Sequence, residues 1–379
     1  MNKVFPLATS TWDEREIAAM ESVIASGRFT MGEKVREAER MFADYIHSSH
    51  AVMVNSGSSA NLLMVASLFF LSENPLKKGD VVIVPAISWS TTYAPLQQLG
   101  LRVRFVDVDP CNLNLDLDQL DTAICADTRL IFAVNLLGNP LRYNMLDAVI
   151  AGRNITVIED NCESLGAVYN SRSAGTFGLA GSFSTFFSHH ISTMEGGFVV
   201  TDHSELYHIM LSVREHGWTR SLPSDNLVSG RKSEDWFEES FKFVLPGFNM
   251  RPLELSGVVA VEQIKKIPAI IRGRRENAMR FLDIASNFEH LAVQKEVGES
   301  SWFGFAIISI DNESLPRQRL RHALDYLGFE YRPIVAGNFV RNPVLEWFEL
   351  ADPELPALPV ADHIHDAGLF VGNHHYSMD

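Results

Sequence analysis

Two adjacent histidines, His189 and His190, lie in the segment TFFSHHISTMEGG and are well suited to proton transfer. An imidazole titrates near pH 6.5 and can act as a general base at neutral pH. In an extended segment successive side chains point in opposite directions, so at most one of the two rings should face a site. Neighbouring histidines lack the i, i+4 spacing of a helical metal-ligand pair, so no metal site is predicted. A structural role is the alternative for either ring.

A glycine followed by serines could bind an anion. In the segment VNSGSSANLL, Gly57 permits close approach of a ligand to the backbone, and Ser58 begins a predicted helix. Free amides at a helix N-terminus attract anions. The segment therefore predicts a phosphate site, although an ordinary strand, turn and capped helix would show the same pattern.

Asp160 and Trp89 could bind a flat, protonated heterocycle. Asp160 ends the apolar run ITVIED, and such strand ends line ligand crevices in open α/β sheets. Its carboxylate could pair with a ring N–H, which would keep the ring protonated. Trp89 follows the run VVIVPA and could stack on the ring. Helix capping by Asp160 and core packing of Trp89 are the alternatives.

Seven short apolar runs should position these residues: AVMVNS, VVIVPA, RVRFVDVD, LIFAVNLLG, ITVIED, GSFSTFF and GGFVVTD. Near-continuous apolar runs are typical of strands covered on both faces. Segments with helical periodicity separate most of the early runs, which predicts an α/β fold with a mainly parallel sheet. The last two runs are joined by SHHISTME, which is too short for a helical crossover. These two strands should be antiparallel or not adjacent.

Two domains are predicted from the change of pattern along the chain. A helix is expected in TWDEREIAAMESVIASG, with Ser10 or Thr11 as its N-cap. After PLELSGVVAVEQIKKI, a long helix in IPAIIRGRRENAMRFLDIASN leads to strands near WFGFAIISI. The prediction is an N-terminal helix with a large domain in residues 1–255 and a small α/β domain in residues 256–379.

Composition excludes several functional classes. The chain has 379 residues and 46% hydrophobic content, enough for a sizeable core, and its net charge of −15 disfavours nucleic-acid binding. Its three cysteines cannot supply a disulfide framework or the four thiolates of a typical iron–sulfur cluster. We find no apolar run long enough to span a bilayer and no apolar signal core, so we expect a cytoplasmic protein without membrane contacts.

In their order and spacing, these motifs resemble the fold-type-I, pyridoxal-phosphate-dependent family of sugar aminotransferases and dehydratases. The resemblance runs almost to the C-terminus and is carried by segments such as PAISWSTTYAPLQQLG, NLLGNP, EDNCESLGA, SHHISTMEGG, REHGWTR, ESFKFVLPGFNMRPLE, ESSWFGF and LFVGNH. It implies a three-layer α/β/α large domain with a mainly parallel seven-stranded sheet and a smaller C-terminal α/β domain. Resemblance is strongest to the members that remove the C3 hydroxyl of GDP-4-keto-6-deoxy-D-mannose, in the colitose branch of nucleotide-sugar synthesis.

The resemblance also implies residues that bind pyridoxal 5′-phosphate or its amine form, pyridoxamine 5′-phosphate: Gly57, Ser58, Trp89, Asp160, Glu163, Ser184 and Asn249. The first two and Ser184 would hold the phosphate, Trp89 would stack on the ring, and Asp160 would pair with the ring nitrogen. Glu163 would lie beside the ring. Asn249 would reach the phosphate from a second subunit, which implies a homodimer with shared active sites.

His189 stands where the aminotransferases of this family carry a cofactor-binding lysine, and His190 is its neighbour. The chain has no lysine between Lys78 and Lys232, so no shift of the alignment supplies one. The resemblance therefore predicts a cofactor held without a covalent bond and His189 as the catalytic base. L-glutamate would supply the amino group, and the reaction would release ammonia and a 4-keto-3,6-dideoxy sugar. Further contacts to the sugar or to glutamate would come from His216, Arg220 and Arg332.

Three alternatives remain open at this point. A CDP-linked 3-dehydratase would use the same cofactor and histidine together with an iron–sulfur cluster, which the cysteine count disfavours. A sugar aminotransferase is disfavoured by the missing lysine. An inactive member of the same fold is the third, because fold does not determine function.

Overall fold

The seven apolar runs form one sheet in the computed structural model, which describes residues 5–378. In chain order the first nine strands are β1 (His50–Val54), β2 (Val81–Pro85), β3 (Arg102–Val106), β4 (Thr128–Val134), β5 (Thr156–Asp160), β6 (Val168–Tyr169), β7 (Arg172–Ser173), β8 (Gly181–Ser184) and β9 (Gly197–Thr201). All but the short β6–β7 hairpin belong to the sheet, in the order β1-β9-β8-β5-β4-β2-β3. Strand β9 is antiparallel to both of its neighbours, which confirms the expectation for the last two runs.

Helices cover both faces of this sheet. Those of the first 214 residues are α1 (Glu14–Ser26), α2 (Glu33–Ile46), α3 (Gly57–Ser67), α4 (Ser90–Gln98), α5 (Leu117–Ala123), α6 (Tyr143–Ile150) and α7 (Ser204–Arg214). Alternate residues of β1 enter different cores: Val52 and Val54 pack with α3 and α7, whereas Ala51 and Met53 pack with α2. This alternation produces the three layers, because successive strand side chains point to opposite faces.

The first helix begins later than predicted. Its N-cap is Asp13, whose side chain accepts a hydrogen bond from the Arg15 amide while Glu16 bonds back to the Asp13 amide. This reciprocal capping box satisfies two free amides, so the prediction of Ser10 or Thr11 as the cap was wrong. The hydroxyl of Thr11 donates instead to Gln263, 2.5 Å away in a later helix.

That later helix joins the two parts of the chain. The irregular segment before it contains β10 (Asp225–Asn226), β11 (Gly230–Arg231) and α8 (Trp236–Ser240). Helix α9 (Glu254–Ala285) then runs for 32 residues, with Pro268 inside it, through the two segments that the sequence pattern had separated. Its first half packs on α2, and Ala278 in its second half packs on the small sheet. The boundary after residue 255 falls in its first turn and stays a prediction.

The C-terminal part contains a second, antiparallel sheet. Its strands are β12 (Leu291–Val293), β13 (Gly304–Ser309), β14 (Tyr331–Arg332) and β15 (Gly368–Gly372), in the order β12-β13-β15-β14. Helices α10 (Arg317–Leu327) and α11 (Pro359–Ala367) accompany it. In the described part of the chain, no helix is both long and apolar enough to cross a membrane.

The topology gathers the candidate residues at one edge. Strands β1, β2, β4, β5 and β8 all run in the same direction, so their carboxyl ends lie together. Gly57 follows β1, Trp89 follows β2, and Asp160 and Ser184 end β5 and β8. Ligands of open α/β sheets bind at this edge.

Candidate active site

A cavity of about 300 Å³ opens at the carboxyl edge of the large sheet. Eight of the residues singled out from the sequence line it: Gly57, Ser58, Trp89, Asp160, Glu163, Ser184, His189 and Arg332. They come from four strands of the large sheet or the segments that follow them, and from β14 of the small sheet. The structure therefore brings together residues that are far apart in the sequence.

The first turn of α3 forms a tight backbone cradle. Ser56 is the N-cap, and its hydroxyl accepts a hydrogen bond from the Ser59 amide at 3.0 Å. Gly57 is the first helical residue, and a Cβ added there would lie 2.6 Å from the Cβ of Ser184 and 2.9 Å from its Oγ. A side chain at position 57 would thus fill the space between the helix amides and Ser184. Only glycine leaves this anion site open.

Asp160 is buried and fixed by three donors. Its Oδ2 accepts hydrogen bonds from Asn61 Nδ2 at 2.8 Å and from Thr92 Oγ1 at 2.7 Å. Its Oδ1 accepts one from the Cys162 amide at 3.0 Å. A carboxylate oxygen has two lone pairs, so Oδ1 keeps an acceptor position for a ligand. Such a buried, oriented carboxylate can pair with a protonated ring nitrogen.

Trp89 is unusually exposed for a residue next to a buried strand. It is the N-cap of α4, and 54% of its surface is accessible, although it lines the cavity. The prediction that it stacks on a ring stays untested, but its open face suits that role better than the core-packing alternative. The cradle, this free aromatic surface and Asp160 fit the phosphate, ring face and ring nitrogen of pyridoxal 5′-phosphate.

His189 lies in the turn that connects β8 to β9. The turn is closed by hydrogen bonds from the Thr185 amide to the Gly196 carbonyl and from the Thr193 amide to the Thr185 carbonyl. The imidazole packs on Phe303, with 5.1 Å between ring centroids, and its Nδ1 has no hydrogen-bond partner. Burial and the nearby positive charges of Arg332 and Arg274 lower the pKa of His189 to about 3. Its ring is therefore neutral, and able to accept a proton, throughout the physiological range.

His190 points away from the cavity. It is 1% exposed, and its Nε2 lies 3.2 Å from the Ser301 carbonyl oxygen. Burial lowers the pKa of His190 far below its usual value. Only one of the two adjacent histidines thus faces the cavity, and the other joins the turn to the C-terminal part of the chain.

Glu163 and Arg332 form a loose charged pair in the cavity wall. Arg332 Nη2 lies 3.6 Å from Glu163 Oε1, and the Leu137 amide donates to Glu163 Oε2 at 3.2 Å. Burial raises the pKa of Glu163 to about 7, and the charge of Asp160 adds to this rise, although Arg332 opposes it. The carboxyl group of Glu163 can therefore gain or lose a proton near neutral pH.

Several residues of the site were not predicted from the sequence. Asn61 and Thr92 orient Asp160, and Asn135 lies in the wall after β4. Asn61 offered a signal, because it is the one amide side chain in the first two turns of an otherwise apolar helix, and it is 2% exposed. Thr92 offered none, since a threonine one turn into α4 is unremarkable without the neighbouring strand.

Three predicted residues do not line this cavity. Asn249 and His216 are exposed, and Asn249 Oδ1 accepts a hydrogen bond from Arg251 at 3.1 Å. Arg220 stacks on Trp218 and lines a separate cleft together with Arg251. Within one chain, therefore, these three residues are not assembled with the others.

Comparisons with known proteins agree with this geometry. A model of the DegT/DnrJ/EryC1/StrS aminotransferase family matches residues 10–376. GDP-4-keto-6-deoxy-D-mannose 3-dehydratase of Yersinia pseudotuberculosis is 54% identical over 375 residues, which are 99% of this chain and 95% of that protein.

Two solved structures are similar over nearly the whole chain. E. coli GDP-4-keto-6-deoxy-D-mannose-3-dehydratase with bound hydrated PLP is 53% identical and has a TM-score of 0.97, covering 100% of this chain and 97% of that one. A variant of GDP-4-keto-6-deoxymannose-3-dehydratase with bound GDP-perosamine, also 53% identical, has a TM-score of 0.96, covering 99% and 97%. The predicted fold of type-I pyridoxal-phosphate enzymes is thereby confirmed.

Proposed function

This chain belongs to the DegT/DnrJ/EryC1/StrS aminotransferase family, and within it we propose that the protein is a pyridoxal-phosphate- and L-glutamate-dependent 3-dehydratase of GDP-4-keto-6-deoxy-D-mannose. The products are GDP-4-keto-3,6-dideoxymannose and ammonia, while L-glutamate becomes 2-oxoglutarate. The observation that carries the proposal is His189: a neutral imidazole in the wall of the cavity, in a chain without a lysine from residue 79 to 231. Relatives with these activities support the substrate.

The binding roles follow from the contacts of each side chain. Gly57, Ser58 and Ser184 hold the phosphate, and Trp89 covers the ring face. Asp160, fixed by its three donors, pairs with the ring nitrogen and keeps it protonated. When bound, the cofactor supplies an amine that can condense with a ketone and a ring that can accept electrons. These roles are proposals for this chain, and the fit of the cavity supports them.

His189 moves the protons of the dehydration. Its ring is neutral at physiological pH, so it would accept the proton of the cofactor carbon that carries the amine, and the electrons of that C–H bond would expel the hydroxyl at C3 of the sugar. Because burial and two arginines destabilise its charged form, the protonated ring is a strong acid. It therefore returns the proton readily, and the leaving hydroxyl is a suitable acceptor, since it departs as water. A lysine tether would instead compete for the cofactor.

A mass assay tests the function directly. The protein is incubated with cofactor, L-glutamate and GDP-4-keto-6-deoxy-D-mannose, and we expect a sugar that is lighter by one oxygen atom together with ammonia and 2-oxoglutarate, because the water lost in dehydration is regained when the imine is hydrolysed. His189→Asn should abolish this product, whereas the same substitution at the exposed His322 on α10 should not. A sugar that gains an amino group would contradict the proposal. Comparison with CDP-linked substrate measures nucleotide preference.

We also propose a cytoplasmic homodimer in which Asn249 completes the partner's phosphate site. The exposure of Asn249 supports this, as do three side chains at the surface of the irregular segment: Trp236, Phe237 and Phe241 are 77%, 71% and 73% exposed. Large exposed aromatic patches mark interaction surfaces. Mixing inactive His189→Asn and Asn249→Ala proteins should restore about a quarter of wild-type activity, since half of random dimers then contain one intact site. No restoration on mixing would contradict shared sites.

A further inference from the structure

Arg274 is a buried cation without a partner of opposite charge. It lies in the second half of α9, and 5% of its surface is accessible. Among the described residues no carboxylate forms an ion pair with it, and burial lowers the pKa of its guanidinium to about 10. A buried charge costs free energy unless it is paired, so a cation kept in this state is a candidate for a functional role.

The guanidinium binds the main chain that carries Phe303. Its Nη1 donates a hydrogen bond to the Phe303 carbonyl oxygen at 2.9 Å and lies 3.5 Å from that of Trp302. The Trp302 carbonyl also accepts a hydrogen bond from Asn373 Nδ2 at 2.9 Å. Trp302 has a φ of 48°, a left-handed conformation that is unfavourable for a bulky residue, so these donors stabilise a backbone that would otherwise relax.

Phe303 in turn supports His189. Its ring centroid lies 5.1 Å from that of His189 and 5.7 Å from that of His190, so it packs against both imidazoles. A second ring, that of Phe186, lies 6.0 Å from His189, but Phe186 is 41% exposed whereas Phe303 is 5% exposed. Phe303 is therefore the fixed wall behind the imidazole, and Arg274 holds the main chain of that wall.

The charge of Arg274 acts on His189 from outside the cavity. Arg274 is not one of the residues that line the cavity, yet its positive charge lowers the pKa of His189, after burial and Arg332. The other titratable groups around the imidazole are His190 in the same turn and Asp160, Glu163, Glu195 and Arg332 in the cavity.

These surroundings make the charge of Arg274 useful. Carboxylates and bound phosphates favour a protonated imidazole, which cannot act as a base. Arg332 opposes them, but it faces the cavity, where Glu163 lies 3.6 Å away and anionic ligands can pair with it. Arg274 has no such partner, so its effect on His189 persists when anions fill the cavity.

We propose that Arg274 is a positioning residue for His189, which it serves by holding the main chain under Phe303 and by placing an unpaired positive charge behind the imidazole. The inference rests on the dehydration proposed above, in which His189 must be neutral to accept a proton. The first effect keeps the ring at the cavity wall, and the second keeps it unprotonated beside the anionic cofactor and substrate. Arg274 acts through His189 and does not itself reach the ligands.

Two substitutions separate the hydrogen bond from the charge. Arg274→Met removes both, whereas Arg274→Lys keeps the charge on a side chain that is too short to reach the Phe303 carbonyl. Arg275→Met is the matched control: this neighbouring arginine also binds the main chain, donating to the Ser300 carbonyl at 2.9 Å, but its charge is paired with Glu299 at 2.8 Å. All proteins are loaded with pyridoxamine 5′-phosphate.

Protonation of His189 is measured by NMR of protein labelled at histidine Cε1, with the signal assigned by its loss in His189→Asn. At pH 5 the protonated fraction should be about tenfold higher in Arg274→Met than in wild type, because loss of a nearby positive charge stabilises the imidazolium. It should stay close to wild type in Arg274→Lys and Arg275→Met. Single-turnover dehydration at pH 8 should slow about tenfold in both Arg274 variants, since His189 loses its fixed support, and stay nearly unchanged in Arg275→Met.

The outcomes distinguish this inference from the proposed function. A protonated fraction that is unchanged in Arg274→Met, or equally raised in Arg275→Met, would overturn the role of the charge, and a wild-type rate in Arg274→Lys would overturn the role of the hydrogen bond. Absence of dehydration by preloaded wild-type protein would instead overturn the proposed function, while the NMR measurement would still judge Arg274. If Arg274→Met unfolds, judged by its melting curve against Arg275→Met, Arg274→Gln replaces it under the same criteria, since it also lacks the charge.

Discussion

A methyl group added at Gly57 should close the phosphate site without removing any polar contact. In Gly57→Ala, the new Cβ would lie 2.6 Å from the Cβ of Ser184, 2.9 Å from its Oγ and 3.1 Å from Cys162 Sγ. Carbon atoms do not approach this closely, so either α3 or β8 must move. Ser184 ends a buried strand, and Gly57 begins a buried helix, so neither element can shift without displacing the residues packed around it.

The size of the effect follows from the cost of overpacking. Forcing an extra methyl group into a well-packed region costs about 1–3 kcal/mol. If the clash is relieved by a shift of Ser184 and the first turn of α3, this cost appears in cofactor binding as an affinity about 5- to 150-fold weaker. If the clash is instead spread over the whole fold, the cost appears as a smaller free energy of unfolding. The geometry favours the first result, because the displaced groups are the proposed phosphate ligands themselves.

Cofactor titration distinguishes these results. The dissociation constant of pyridoxal 5′-phosphate is measured by tryptophan fluorescence, and stability is measured by urea unfolding of the cofactor-free protein. Gly152→Ala is the matched control: its Cβ would meet nothing within 4 Å, and its φ of +75° costs about 1 kcal/mol through backbone strain alone. A wild-type dissociation constant in Gly57→Ala would refute the assignment of this turn as the phosphate cradle.

Three further predictions concern the titratable residues of the site. His189→Lys should abolish dehydration and bond the cofactor covalently, detectable by mass after borohydride reduction; unaltered dehydration would contradict the role of His189. Burial raises the pKa of Glu163 from 4.5 to about 7, so the folded protein binds a proton that the unfolded chain lacks in that window. The contribution of Glu163 to the free energy of unfolding should therefore be greatest below pH 4.5 and fall by about 3 kcal/mol as pH rises through 7, so this decline should be absent from Glu163→Gln when urea unfolding of the two proteins is compared across pH. Asp160→Asn should weaken cofactor binding and slow the reaction at least about tenfold, since a neutral amide cannot hold the ring nitrogen protonated; an unchanged rate would contradict that pairing.

The large sheet could be predicted because its sequence signals are local. Each of the seven apolar runs is a strand, and the short link between GSFSTFF and GGFVVTD gave the one reversal of direction. Helix α9 was divided in two because the pattern changes after PLELSGVVAVEQIKKI, although one helix runs through both segments and contains Pro268. A proline lacks an amide for the helix ladder, yet packing of the first half on α2 keeps the helix continuous.

The site was predictable to the extent that its residues follow strand ends. Gly57, Trp89 and Asp160 carry such local signals, and the structure brings them to one cavity. The supporting contacts of Asn61 depend on long-range packing, which one sequence does not encode in any short pattern. The alternation of an extended segment, in contrast, already predicted that at most one of His189 and His190 would face the cavity. The cap at Asp13 shows a different limit: three residues within four positions, Ser10, Thr11 and Asp13, had suitable side chains, and the glutamate at the third helical position decided among them.

The turn that carries His189 begins and ends in one antiparallel pair of strands. Ser184 and Gly197 face each other across β8 and β9, so both ends of the turn are fixed by the same pair. No helix connects the two strands, and His190 and Ser192 inside the turn bond to Ser301 and Gln263 in other parts of the chain. A protein engineer can therefore replace the side chain at position 189 by another reactive group while the strands on either side stay paired.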